Sequence, residues 1–188
     1  MFSAYLQLGF HHIANLNAYD HLVFILAMAS GYSFSDWKKL GILVTAFTVG
    51  HSLTLALATL GWVQPDTKVV EFLIPVTILI TAIYSLLVKK TKGSRMLYFS
   101  VLFFGLIHGL GFSNFLRQTL SEEQSLVVPL LSFNIGLELG QLLILIIFLL
   151  TGLLFTRLFK FPDKDWHTYI CGIASGVSIV LMITTKFW

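Results

Sequence analysis

The side chains in this sequence that could hold an ion or move a proton are few, and most sit inside apolar stretches. They are Asp20 with His21, His51, Glu71, His108, and Glu138 flanked by Asn134 and Gln141. An ionisable group in hydrocarbon costs roughly 2.5–3.5 kcal/mol on insertion scales, so each placement calls for a compensating partner. Five of the six histidines lie in or beside apolar runs, whereas His167, at a charged loop edge, reads as an ordinary solvated histidine. Spacing sharpens the pattern. Asn134, Glu138 and Gln141 fall at i, i+4 and i+7 and share a helix face. Thr48, His51 and Thr54, with Ser52 adjacent, make a second polar stripe, and His11, His12, Asp20 and His21 crowd the N-terminal region.

Imidazoles and carboxylates without thiols suit a borderline divalent transition metal such as Ni, Co, Zn or Fe(II). The single cysteine, Cys171, permits neither an internal disulfide nor a cysteine-based metal site. Soft Cu(I) fits less well, although Met28 and Met96 offer thioethers. The candidate ligands are therefore His12, Asp20, His21, His51, His108 and Glu138, with His11, Ser52, Glu71, Asn134 and Gln141 as hydrogen-bonding support. Two blander readings compete. A single membrane histidine commonly makes an interhelical hydrogen bond, and a proton relay needs no metal. Glu71, near a span end, could equally snorkel or cap a helix.

The elements that position these groups must be membrane helices. The chain has 188 residues, of which 56% are hydrophobic and only 11% charged, and its mean hydropathy is +0.85. Soluble domains carry about 25% charged residues, and one this small could not hide so much apolar surface. Disorder is excluded by the same numbers. The net charge of +3 comes without a basic stripe interleaved with aromatics, which excludes nucleic acid as a partner and leaves the lipid bilayer and a metal ion. The first residues carry no Lys or Arg, so they lack the charged segment of a secretory signal and are expected to be retained. With no linker or low-complexity tract, residues 1–188 read as a single integral membrane domain.

A spanning helix needs about 20 apolar residues. Six runs approach this, at 19–34, 38–61, 67–88, 95–117, 125–156 and 166–185. The expected fold is all-α, a bundle of about six transmembrane helices. A short outer-leaflet helix over 3–14 should precede it and join the first span through a break at Asn15-Leu16-Asn17. The fifth run is long enough to require tilt or extension beyond the membrane. Gly105 with Gly109, and Gly136 with Gly140, form small-xxx-small patterns that let helix backbones approach. Pro75 and Pro129 each remove a backbone donor and should loosen their helices.

Short Lys/Arg-rich loops stay cytoplasmic. Lys38, Lys39, Lys89, Lys90, Lys92, Arg95, Arg157, Lys160 and Lys164 fall in alternate loops, against Lys68, Arg117 and Lys186 on the other side. In the plasma (inner) membrane, both termini are then expected outside. At about 1.5 Å per residue, this orientation places Asp20, His21, His51, Glu71, His108 and Glu138 between the outer surface and the midplane. Independent structural accidents would scatter between leaflets.

At these residues the sequence resembles the HupE/UreJ family of small membrane proteins. The matching pieces are Gly9-Phe-His-His-Ile13, Asp20-His-Leu-Val-Phe24, Phe47-Thr-Val-Gly-His-Ser-Leu-Thr-Leu55, Glu71-Phe-Leu-Ile74, Gly105-Leu-Ile-His-Gly-Leu-Gly-Phe112 and Phe133-Asn-Ile-Gly-Leu-Glu-Leu-Gly-Gln141. The resemblance implies a nickel or cobalt permease whose signature is the His/Asp-His segment of the first span. Here seven residues separate His12 from Asp20, and Asn15-Leu-Asn17 stands where the family has a glycine turn.

Two classes of function follow. In a permease, the polar layer strips and holds a hydrated ion, although the inner halves of the spans, such as Leu40–Val44 and Leu142–Leu150, are almost wholly apolar. In an intramembrane metalloenzyme, three histidines and a carboxylate hold Zn or Fe with an open position for water. A metallocentre assembly factor is a further possibility.

Overall fold

The computed structural model describes residues 2–15, 19–88, 95–119 and 126–188. Among them the regular structure is helical throughout. The helices are α1 (Phe2–Ala14), α2 (Asp20–Ala29), α3 (Trp37–Thr59), α4 (Thr67–Leu87), α5 (Arg95–Gly111), α6 (Ser113–Thr119), α7 (Val127–Arg157) and α8 (Asp163–Thr184), with a 3-10 turn at Phe34–Asp36 leading into α3. The boundaries have local causes. Asp66 caps α4 by accepting from the Lys68 amide at 2.9 Å. Pro162 precedes α8, and Asp163 and Asp165 occupy its first turn, where negative charge opposes the helix dipole. Pro129 sits in the first turn of α7, where its missing N–H would have had no helical partner.

The protein is an all-α integral membrane protein, but its spans differ from the expected six. Among the described residues, helices α3, α4, α7 and α8 are long and apolar enough to cross, and α5 with α6, bent by 49° at Phe112, counts as a fifth where the bent pair is one span. The run at 19–34 forms only the ten-residue α2, about 15 Å long. Helix α1 ends at Ala14 and α2 begins at Asp20; of the break expected at Asn15-Leu16-Asn17, Leu16 and Asn17 lie, with residue 18, outside the described residues. Helix α7, at 31 residues, is the over-long fifth run. Of the charged loop residues, Lys89, Lys90, Lys92, Glu122 and Glu123 also lie outside the described set.

Glycines decide which helices touch. On α3 and α5, a Cβ at Gly50 would strike the Leu102 carbonyl, one at Gly105 the Phe47 carbonyl, and one at Gly109 the His51 carbonyl. On α1 and α7, a Cβ at Gly9 would strike the Phe133 carbonyl and one at Gly136 the Leu6 carbonyl. Both sequence patterns are thus backbone contacts between helices. The Thr54 hydroxyl donates to the Leu106 carbonyl at 2.7 Å and fastens α3 to α5. The two polar stripes join α3 to α7. Thr45 donates to Glu138 at 2.7 Å and Thr48 to Gln141 at 2.8 Å.

Candidate metal centre

The break between α1 and α2 brings His12, from the last turn of α1, beside Asp20 and His21, from the first turn of α2. The α3–α5 pair contributes His51 and His108. Their packing places His51 against Gly105 and Gly109, the glycines on either side of His108. Ring centroids lie 4.9 Å apart for His12 and His21, 5.8 Å for His21 and His51, and 5.0 Å for His21 and His108. Two overlapping ligand sets result, His12–His21–His51 and Asp20–His21–His108, each with its donor atoms within 4.8 Å of one another. Donors bound at 2.0–2.1 Å around a tetrahedral ion stand about 3.3 Å apart, so small side-chain rotations would close either set.

His21 is the hub. His51 and His108 fall in different sets, each of which contains His21. The seven residues between His12 and Asp20 do not separate the two helix ends, because His21 reaches both partners.

The cluster is dry. His21, His51 and His108 are 3%, 0% and 1% exposed. Phe24 and Phe47 stand against His108 at 5.2 and 5.1 Å between centroids, and Phe112 covers His12 at 3.9 Å. The bend between α5 and α6 falls at Phe112, which also stacks on Phe133 at 5.3 Å. Within this shell His12 Nε2, His21 Nε2, His51 Nδ1 and Nε2, and His108 Nδ1 have no hydrogen-bond partner. They are five of the seven such buried side-chain atoms among the described residues. An orphaned buried polar atom costs about 1–3 kcal/mol, and a cation bound by either set would give some of these nitrogens a partner.

Two contacts fix ring tautomers. Asp20 Oδ1 lies 3.2 Å from His21 Nδ1. A proton on Nδ1, donated to the carboxylate, leaves Nε2 bare. Thr77 on α4 donates to the Ile74 carbonyl at 2.7 Å and lies 2.9 Å from His108 Nε2. With its one hydrogen on the Ile74 carbonyl, the hydroxyl accepts from His108 Nε2–H, and in that tautomer Nδ1 keeps the lone pair. Partners of this kind orient ligating histidines and raise their basicity. Sequence reasoning missed Thr77. Its signal was a threonine ten residues inside an apolar helix that also carries Glu71. Thr77→Val keeps the shape but removes this partner, and metal affinity is expected to fall about 10–100-fold. Titration of the purified variant with Ni²⁺ checks this, and an unchanged affinity would show that the hydroxyl merely fills space.

The remaining candidates lie elsewhere. Glu138, expected to be a ligand, is in neither set, and its carboxylate accepts from Thr45 between α3 and α7. Gln141 accepts from Thr48, the Ser52 hydroxyl donates to the Thr48 carbonyl at 2.6 Å, and the Asn134 amide donates to the Leu130 carbonyl at 2.8 Å. None of these three bonds reaches a histidine. His11 is exposed on α1, with its ring edge on Phe10. Glu71 is exposed, but together with Asp20, Tyr19, Pro75 and Thr185 it lines a cavity of about 280 Å³ between α2, α4 and the end of α8. Pro75 leaves the Glu71 carbonyl without its helical amide at this same place. The carboxylate of Asp20 therefore joins the ligand sets to an acidic surface cavity. His167, read as a solvated histidine, is half-buried, and Ser85 on α4 lies 3.0 Å from its Nε2.

No curated protein and no solved structure matches this chain. The matching family model is that of the HupE/UreJ protein, and it covers residues 1–188. That span includes both helix ends at the α1–α2 break, the paired glycines of α3 and α5, and all five clustered His and Asp residues. The chain belongs to the HupE/UreJ family.

Proposed function

We infer that the protein is a permease for a divalent first-row metal, Ni²⁺ or Co²⁺, and that Asp20, His12, His21, His51 and His108 hold the ion in passage. The observation that carries this reading is that four buried or half-buried histidines with unpartnered ring nitrogens, together with the Asp20 carboxylate, form two overlapping sets of donor atoms that share His21. Borderline nitrogen and oxygen donors of this kind suit such ions. The site also lies at a helix break. The end of α1 and the start of α2 meet there, as in transporters whose discontinuous helices cradle the cargo near the membrane centre. Glu71 and Asp20 supply a negative mouth that gathers cations, and the carboxylate hands them to His21.

The orientation we infer rests on charge. Lys38, Lys39, Arg95, Arg157, Lys160 and Lys164 belong to the helix ends opposite the one that carries Glu71, and the positive-inside rule supports an acidic mouth that faces outward from the plasma membrane. A cysteine at the exposed Trp62 is then expected to label in intact cells, and one at Lys160 only after permeabilisation.

The decisive experiment has two measurements. Protein purified without added metal is titrated with Ni²⁺, Co²⁺ and Zn²⁺, and proteoliposomes are tested for entry of the same ions. Saturable binding together with entry is expected. Tight stoichiometric metal without entry would favour a resident metalloenzyme centre instead, and no binding at all would end both readings.

A further inference from the structure

A second polar region lies at the opposite end of the same helices. Thr77, Thr81 and Ser85 recur every four residues on α4, so they form one face descending about 12 Å from the His108 contact. The face ends in a cavity of about 260 Å³ lined by Met28, Tyr32, Thr81, Tyr84, Ser85 and His167, among others. Behind it Ser30 Oγ lies 3.1 Å from both Ser85 Oγ and Cys171 Sγ. Helices α2, α4 and α8 thus wall both cavities. Asp20, Glu71 and Thr185 stand at one, and Gly31, Ser85 and His167 at the other. The short α2 runs between them.

The hydroxyls on this path are polarised in one direction. Thr77 donates to the Ile74 carbonyl and Thr81 to the Thr77 carbonyl, each at 2.7 Å, and Ser30 donates to the Ala27 carbonyl at 2.9 Å. Each has spent its only proton on its own helix. The oxygen lone pairs are what remain, and a line of acceptors can replace the water around a cation as it moves. The path also supplies what the apolar inner halves of the other spans lack.

We propose that the Thr77–Thr81–Ser85 face of α4 and the cavity beside His167 form the inner release path for the divalent ion, with Ser85 and His167 as a second, weaker binding station. This rests on the permease reading given above. The α4 oxygens lower the cost of leaving the histidine cluster. The hydroxyls bind a divalent ion more weakly than imidazoles do, so the ion is not trapped there.

The test uses Co²⁺ as the probe, read by quenching of a dye enclosed in proteoliposomes. Thr81→Val is isosteric and is expected to slow Co²⁺ entry about tenfold, while Co²⁺ affinity in direct titration stays within about twofold of the original protein. Thr81→Ser restores entry. Ser85→Leu, whose bulk would occupy the cavity at a half-buried position, is expected to give the same split and serves if the valine variant folds poorly. Entry at the original rate in both Thr81→Val and Ser85→Leu would overturn the path. So would a Thr81→Val variant that loses affinity in step with entry. If the unaltered protein binds Co²⁺ but never passes it, the path falls and the histidine site stands. If it does not bind Co²⁺ at all, the permease reading fails first.

Discussion

His21→Ala is expected to lower Ni²⁺ or Co²⁺ affinity by more than about 100-fold, beyond the 10–100-fold typical of losing a partner that only orients a ligand. His21 belongs to both ligand sets, so its removal leaves His12 with His51 on one side and Asp20 with His108 on the other. Neither pair makes a three-donor site. Its loss also frees the Asp20 carboxylate from its 3.2 Å contact, which uncouples the acidic mouth from the cluster. Calorimetric titration of the purified variant, alongside its helical content by circular dichroism, checks this outcome. Affinity within a few-fold of the original would mean that the imidazoles are packed rather than ligating. Glu138→Gln is the informative contrast. Its carboxylate is engaged by Thr45 and lies outside both sets, so the variant is expected to keep its metal affinity.

Gly105→Ala is expected to destabilise the protein by about 1–3 kcal/mol and to weaken metal binding with it, as overpacking at a tight contact does. The added methyl would meet the Phe47 carbonyl, a backbone atom that cannot turn aside, with the His51 amide 3.1 Å away. To accommodate it α3 must move off α5, and that separates His51 from the rest of the cluster. Gly172→Ala on α8 has the opposite sign. Nothing lies within 4 Å of its Cβ, so the usual gain of about 0.5–1 kcal/mol for alanine over glycine inside a helix is expected. Thermal unfolding in detergent, measured with and without Ni²⁺, separates the two cases. An alanine at 105 as well tolerated as one at 172 would show that the helices are not held by this contact.

The helical membrane character and most of the helix limits were legible in the sequence, because hydropathy and helical period are local properties of the chain. The glycine pairs were legible as well, since only a missing side chain permits such close approach, and Gly105 and Gly109 do pack on Phe47 and His51. Which way each polar face turns about its helix axis was not. Glu138 faces Thr45, and the stripe shared by Asn134, Glu138 and Gln141 bonds to the α7 backbone and to α3. Thr77 and His167 looked ordinary because their importance lies in partners 31 and 82 residues away. Of the run at 19–34, the helix α2 takes up only Asp20–Ala29. Depth is set by distance along one helix and can be counted from the residues. Convergence depends on the rotation and pairing of several helices, and only their packing against one another fixes it.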